Sequence, residues 1–100
     1  MNTTLNKEGG KTTVKLSGRF SSDETAGFLK AIEPLLQEVN SEIVMDLSEL
    51  DFISSAGIRC FIMLLKACDA NKTTLTLKKL TPQINDILTL TALIDKFNIE

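Results

Sequence analysis

One stretch near the middle of the chain constrains the fold more than any other, because it joins a buried strand to the longest apolar segment. Residues 42–47 are almost continuously apolar, which is typical of a central strand covered on both faces. Residues 58–70 form the longest apolar segment and predict a helix. Two small hydroxyl residues, Ser54 and Ser55, therefore lie where this helix is expected to begin.

These two serines allow a structural and a functional interpretation. The first N–H groups of a helix have no partner within it, so the hydroxyl of Ser54 or Ser55 is suited to cap them. The same unpaired N–H groups and the helix dipole also favour a phosphate, which makes the place suitable for phosphorylation. Because caps are common, residue types alone favour the structural interpretation.

The amino-terminal part of the chain predicts a hairpin. Residues 3–8 are a polar strand candidate, and residues 12–17 alternate and are rich in β-branched side chains. The glycine pair at 9–10 is typical of a two-residue hairpin turn. We expect Gly18 to end the second strand and residues 19–20 to form a short loop.

A helix is predicted to follow this hairpin. Ser21 and Glu24 have the spacing of a capping box, in which two side chains satisfy free N–H groups at a helix start. Pro34 removes a main-chain donor, so we expect a kink or a restart of the helix there. Apolar residues at helical spacing predict one buried stripe, made of Phe28, Leu29, Ile32, Leu35, Leu36 and Val39.

The remainder of the chain completes an α/β pattern. Residues 73–78 alternate and predict a strand, a short helix starts at residues 81–82, and a turn at 91–97 precedes a short edge strand at 98–100. The order is therefore strand, strand, helix, strand, helix, strand, helix. Two helices lie between strands at crossover length, which favours one mixed sheet with parallel pairs in a single domain, residues 1–100.

The helix predicted at residues 58–70 is apolar around most of its circumference. The side expected to face the core carries Ile58, Phe61, Ile62, Leu65 and Cys68. The strip expected to be exposed carries Ser55, Arg59, Met63, Lys66 and Ala70, and its first two members are one turn apart. The remaining positions, Cys60, Leu64 and Ala67, are also apolar, so the helix is either deeply buried or presents a surface to a partner.

Composition excludes several classes of function. Eleven basic and 13 acidic residues give a formal charge of −2, which offers no electrostatic surface for nucleic acid. Without histidine there is no Ser-His-Asp triad and no histidine metal site. Cys60 and Cys68 are about 12 Å apart along one helix, too far for a disulfide, so we expect reduced core cysteines. No apolar run reaches the roughly 18 residues of a membrane span, and the amino terminus lacks a signal peptide, so we expect a cytoplasmic protein with no membrane partner.

Two segments around the serines resemble a known family. Asp46-Leu47-Ser48, followed by Phe52-Ile53-Ser54-Ser55-Ala56-Gly57-Ile58, is similar to the signature of the anti-sigma-factor antagonists, the STAS domain. Gly18 and the region 81–99 also match the family pattern, so the resemblance covers almost the whole chain. The resemblance implies a STAS-type α/β domain with a mixed four- to five-stranded sheet and helices packed mainly on one face.

The resemblance also implies a function in bacterial signalling and transcription regulation. Ser55 matches the residue that is phosphorylated in the family. The unmodified protein would bind an anti-sigma factor that is also a serine kinase and so free the sigma factor, and phosphorylation would end that complex. A metal-dependent serine phosphatase would reset the switch. On this view the chain is not an enzyme and needs no cofactor, because ATP and magnesium belong to the kinase.

The resemblance places the partner-binding surface around the helix start. The residues expected to contribute are Arg19, Phe20, Ser21, Ser54, Ser55, Ala56, Gly57, Arg59 and Met63. Ser54 stands where many members have Asp, which makes it a second candidate acceptor. Arg19 and Ser21 stand in a loop where some members carry acidic residues, so the charge pattern for docking differs here.

Two other classes of function stay open. One is a scaffold STAS subunit of a transport, lipid-trafficking or signalling complex, in which Ser55 is only a cap. The other is a small enzyme that uses Asp46, Asp51 or Lys66, although the sequence shows no pair of nucleophile and base.

Overall fold

A computed structural model describes all residues from 1 to 100. One sheet contains the five strands β1 (Asn2–Glu8), β2 (Lys11–Phe20), β3 (Glu42–Ile53), β4 (Thr74–Lys78) and β5 (Asn98–Ile99). The α-helices are α1 (Thr25–Ile32), α2 (Ser55–Ala70) and α3 (Pro82–Leu90). Short 3-10 turns occupy Ser22–Glu24, Glu33–Gln37 and Ile94–Lys96. The predicted α/β class and the order of the elements are confirmed.

The five strands lie side by side in the order of the sequence, from β1 to β5. β1 and β2 form the predicted antiparallel hairpin, whereas β2, β3, β4 and β5 are parallel to their neighbours. Gly9 has φ +59° at the first central position of the hairpin turn, where glycine avoids the strain of a left-handed conformation. The crossovers through α1, α2 and α3 allow the three parallel pairs.

The helices pack mainly on one face of the sheet. Val14 of β2, Met45 of β3 and Leu77 of β4 point to this face and join one core cluster of 21 residues, to which all three helices contribute. Val44 points to the opposite face and lies outside the cluster, although its strand neighbours Thr13 and Thr76 help to bury it. The central strand is buried on both faces, as expected, but helices cover only one of them, and the prediction that helices pack mainly on one face is confirmed.

Strands β2 and β3 are longer than predicted. Gly18 lies within β2 at φ +100°, beside an irregularity in the pairing with β3, and Arg19 and Phe20 continue the strand. Residues 48–51, expected as a loop, belong to β3. These segments are too polar to look like strands, but main-chain pairing of the two strands resumes beyond the bulges.

The connection from β2 to β3, which contains α1, differs in part from the prediction. A kink or a restart was expected at Pro34, but α1 ends at Ile32 and the chain continues only as a 3-10 turn that contains Pro34, because the proline lacks a main-chain donor. The capping box does not form, because the hydroxyl of Ser21 donates to Asp23 Oδ1 at 2.6 Å. Val39 is 61% exposed, since the chain is already extended at Glu38 and no longer follows the helical stripe.

α2 is turned about its axis relative to the prediction. Cys60 and Leu64 are buried, whereas Ile62 and Leu65 of the predicted core side are only half-buried at its flanks. Phe61 packs with Phe20 and Phe28 at ring-centroid distances of 6.0 and 6.1 Å, and Phe20 and Phe28 are 5.0 Å apart. This aromatic group joins α2, β2 and α1.

Both cysteines are free and buried, as predicted. Burial raises the pKa of Cys60, and burial together with the charge of Asp69 raises the pKa of Cys68 to about 11. The helices are also too short or too polar for any of them to cross a membrane.

Candidate functional site

The candidate site lies at the edge of the sheet where β2 and β3 end and α2 begins. The N–H of Ser54 donates to the carbonyl oxygen of Phe20 at 2.8 Å, so the end of β2 fixes the position of the helix start. Carboxyl ends of neighbouring parallel strands meet at the same edge, which is where α/β proteins commonly place binding sites.

Ser54 is the amino-terminal cap of α2. Its backbone is extended, with φ −80° and ψ 168°, and its hydroxyl oxygen accepts from the N–H of Gly57 at 3.1 Å. Its carbonyl oxygen accepts the first helical hydrogen bond, from the N–H of Ile58 at 2.9 Å. This is the expected geometry of a serine cap, so of the two serines suited to cap the helix it is Ser54 that does so.

Ser55, the next residue, has the opposite environment. It is the first residue of α2, it is exposed, and its hydroxyl group makes no hydrogen bond. The first turn of α2 contains no acidic residue, so nothing there opposes a negative charge. Free N–H groups and the helix dipole favour an anion at this place.

Gly57 provides the space that brings the helix start close to the sheet. A Cβ atom at this position would lie 2.8 Å from Ile53 Cγ1 and 3.0 Å from the ring of Phe20. Glycine is therefore required here for close packing, and its φ angle is ordinary.

Phe20 and Gly57 were expected at the partner surface, but both are buried, and Phe20 is 0% exposed. The Phe20 ring therefore cannot contact a partner that docks on this conformation, and Gly57 has no side chain to present. Phe20 faces Gly57 from below and packs with Phe61, so the two residues shape the surface without being part of it.

Arg19 and Phe52 form a flat, charged edge beside the serines. The two residues are neighbours in the β2–β3 pairing, and the Arg19 guanidinium lies 4.4 Å from the centroid of the Phe52 ring. Phe52 was not among the residues predicted for the site. The only signal was its place as the aromatic residue before the serines, and its pairing with Arg19 depends on the two bulges.

We call the exposed and half-buried residues at this edge the α2 surface: Arg19, Ser21, Phe52, Ser54, Ser55, Ala56, Arg59, Met63 and Lys66. Met63 is 51% exposed, and the predicted exposed strip of the helix is confirmed. None of the three basic residues on this surface forms an ion pair. The surface therefore combines free positive charge, the apolar side chains of Phe52, Ala56 and Met63, and one free hydroxyl group. The hydroxyl of Ser21 is already bound to Asp23, and this bond lowers the pKa of the Asp23 carboxyl.

The residues considered for catalysis do not come together. Asp46 lies on the polar face of the sheet, opposite the face covered by the helices, whereas Lys66 lies on α2. Burial would raise the pKa of Asp46, but the hydrogen bond from Ser48 and the charges of Lys79 and Lys78 outweigh it and lower that pKa. Asp51 is exposed at the end of β3. No nucleophile and base are paired among these groups.

The chain belongs to the STAS domain family. The family model described as "Mlab, STAS domain" matches residues 3–97, which is nearly the whole chain. No curated protein matches the chain.

Solved structures share this fold at low sequence identity. The unphosphorylated form of the anti-sigma factor antagonist SpoIIAA has a TM-score of 0.82 at 13% identity, covering 99% of this chain and 88% of that chain. An anti-sigma factor antagonist from Mycobacterium paratuberculosis has a TM-score of 0.82 at 19% sequence identity, covering 98% of this chain and 83% of that chain. The phosphorylated form of the Bacillus cell fate determinant SpoIIAA has a TM-score of 0.77 at 14% sequence identity, covering 99% of this chain and 91% of that chain. The predicted family and fold are thus confirmed.

Proposed function

We propose that this protein is an anti-sigma-factor antagonist that acts by partner switching, with Ser55 as the phosphorylated residue. The proposal rests on the different environments of the two serines. Ser54 is occupied as the helix cap, whereas the neighbouring hydroxyl of Ser55 is exposed and unbonded at the start of α2. A kinase can modify Ser55 without removing a hydrogen bond on which the fold depends.

A phosphate on Ser55 would leave the helix intact. A negative group at a helix amino terminus stabilises the helix by roughly 0.3–1 kcal/mol, and Arg59 lies one turn further along the same strip. The large effect would fall on binding. Phosphorylation places up to about two negative charges and a hydrated group in the middle of the α2 surface.

The partner would be an anti-sigma factor that is also a serine kinase. The unmodified α2 surface would hold this kinase and so release the sigma factor, and phosphorylation would end the complex. The kinase would supply ATP and magnesium, a metal-dependent serine phosphatase would restore the free hydroxyl, and this chain would supply no catalytic group. Fold similarity to two forms of SpoIIAA, one of them phosphorylated, supports a switch with little change of shape.

Intact-mass measurement tests the site directly. The protein is incubated with ATP and each candidate kinase from the same genome, and the mass and the modified peptide are determined. We expect one added phosphate that maps to Ser55 and that disappears in Ser55→Ala. Ser54→Ala is the matched control and should still be modified. Phosphate on Ser54 instead, or no phosphate with any candidate, would contradict the proposal.

A scaffold subunit is the second candidate function. The exposed side chain of Met63 and the half-buried Ala67 offer apolar contact area on α2 that does not depend on phosphate. Binding of a partner to wild type, Ser55→Ala and Ser55→Asp separates the two functions. A scaffold tolerates both substitutions, whereas a switch keeps binding in Ser55→Ala and loses it in Ser55→Asp.

A further inference from the structure

β1 is an edge strand that lacks the usual protection against pairing with another chain. It pairs with β2 from Asn2 to Glu8 without a bulge, and no strand lies on its other side. Edge strands are commonly protected by proline, bulges, charges or short length. β1 has seven residues and no proline, and its only charges, Lys7 and Glu8, lie at one end. The other edge, β5, has only two residues.

The hairpin geometry determines which main-chain groups of β1 are free. In a hairpin with a two-residue turn, the closing pair is hydrogen-bonded, and here that pair is Glu8 and Lys11. Alternate residues of β1 therefore bond to β2, beginning from Glu8. The N–H and C=O groups of Thr3, Leu5 and Lys7 point away from β2, into the open edge.

These three residues make the edge self-complementary. Suppose that a second copy of β1 runs antiparallel to the first, with a two-fold axis at Leu5. Leu5 then pairs with Leu5 of the other copy, and on each side of the axis Thr3 of one copy pairs with Lys7 of the other. Each of these pairs can exchange two hydrogen bonds. An axis at Thr4 or at Asn6 leaves fewer pairs within the strand, and an axis at Lys7 places two ammonium groups opposite each other.

The side chains agree with the axis at Leu5. Leu5 is the only large apolar residue of β1, it is 37% exposed, and it points to the face that carries the helices. With this axis the two leucines meet. Lys7 then lies opposite Thr3, and Glu8 opposite Asn2, so no like charges face each other.

We propose that β1 mediates self-association, in which a second copy of this chain pairs antiparallel through Thr3, Leu5 and Lys7. The two five-stranded sheets then form one continuous sheet with the helices of both copies on the same face. A single strand pair buries little surface, so the dimer is weak and depends on concentration. The α2 surface starts at the end of β3, the third strand of the sheet, and is not part of this contact.

Sedimentation equilibrium of the full chain tests the proposal. We expect the wild-type mass to rise from 11.0 kDa toward twice that value between about 10 µM and 1 mM. Leu5→Lys and Leu5→Glu each place like charges on the axis and should weaken association about tenfold or more. An equimolar mixture of the two variants should associate again, because the axis then carries opposite charges.

Thr4→Lys is the matched control. It adds the same charge to the same strand, but position 4 then lies opposite Asn6 of the other copy, so association should persist. Thermal unfolding of each variant checks that the fold is intact. A wild-type protein that stays monomeric at about 1 mM would overturn the proposal. A mixture of Leu5→Lys and Leu5→Glu that stays monomeric would also overturn it, and so would a Thr4→Lys variant that dissociates as fully as Leu5→Lys.

Discussion

At the end of the sheet where β3 and β4 begin, polar side chains are bound to one another, whereas at the end where α2 begins they are left free. Glu38 accepts from Lys7 at 2.6 Å and from Ser41 at 3.3 Å, and the Thr73 hydroxyl donates to the Glu38 carbonyl at 3.2 Å. The Asn71 side chain donates to the carbonyl of Leu36 at 2.8 Å. This network ties the loop before β3 to the loop before β4.

The α2 surface shows the other arrangement. Only two of its side chains are hydrogen-bonded within the fold, Ser54 as a cap and Ser21 as a donor to Asp23. Ser55, Arg19, Arg59 and Lys66 have no hydrogen-bonded or ionic partner. A buried polar group that loses its partner destabilises a protein, whereas an exposed free group costs little and remains available. One end of the sheet therefore uses its polar groups for stability, whereas the other keeps them available for the partner binding that we propose.

The largest effect on stability is expected at Gly57, directly beneath the free surface. Gly57→Ala forces its new Cβ against Ile53 and Phe20, and should lower the free energy of unfolding by about 1–3 kcal/mol. Gly27→Ala is the matched control, because no atom lies within 4 Å of a Cβ at that helical position. There the free energy of unfolding should stay the same or rise by up to about 1 kcal/mol. Urea denaturation measures both, and equal effects would contradict the close packing at Gly57.

The next largest effect on stability is expected in the hydrogen-bond network at the end of the sheet where β3 and β4 begin. Thr73→Val removes the hydroxyl that joins the Glu38 carbonyl to Ser41, and should cost about 1–2 kcal/mol of unfolding free energy. Thr74→Val, at an exposed position of β4, is the control and should change stability by less than about 0.5 kcal/mol. If Thr73→Val behaves like its control, this network does not stabilise the fold.

The two adjacent serines provide a finer comparison. Ser54→Ala leaves the N–H of Gly57 without its cap and should lower the free energy of unfolding by about 1 kcal/mol. Ser55→Ala should change it by less than about 0.5 kcal/mol, because that hydroxyl has no partner. Chemical denaturation of both variants measures the difference. The reverse order of stability would show that Ser55 is the cap.

The smallest effect concerns pH. The hydrogen bond and charge of Lys7 lower the pKa of Glu38 below its ordinary value of 4.5. The ionised pair therefore adds stability above that value, and this contribution is lost as pH falls through the lower pKa of the folded protein. In Lys7→Met, an NMR titration should show the pKa of Glu38 move upward. An unchanged titration would mean that the pair is absent in solution.

Much of the fold follows from the sequence, because patterns of apolar residues predicted β2, β3, β4, α1 and α2, and the glycine pair predicted the hairpin turn between β1 and β2. The sequence did not reveal that β3 continues through the polar residues 48–51. Strand pairing there depends on main-chain groups of β2, which lie about thirty residues earlier in the chain. The rotation of α2 was also hidden, because a helix with apolar residues on most sides has no unique core face.

The candidate site was predictable in part. The spacing around Gly57 placed a cap and an exposed hydroxyl at the helix start, and the structure assigns the cap to Ser54. The burial of Phe20 and the stacking of Arg19 on Phe52 depend on the pairing of β2 and β3 beyond two bulges. No local pattern encodes that register.

We propose that one residue, Ser55, converts the α2 surface from a binding surface to a non-binding surface. The most direct measurement is the affinity of the unmodified and the Ser55-phosphorylated protein for the kinase that modifies it, by isothermal titration calorimetry. We predict a loss of more than a hundredfold, about 3 kcal/mol, with amide NMR shifts changed only near the start of α2. Affinities within about threefold of each other would contradict the account.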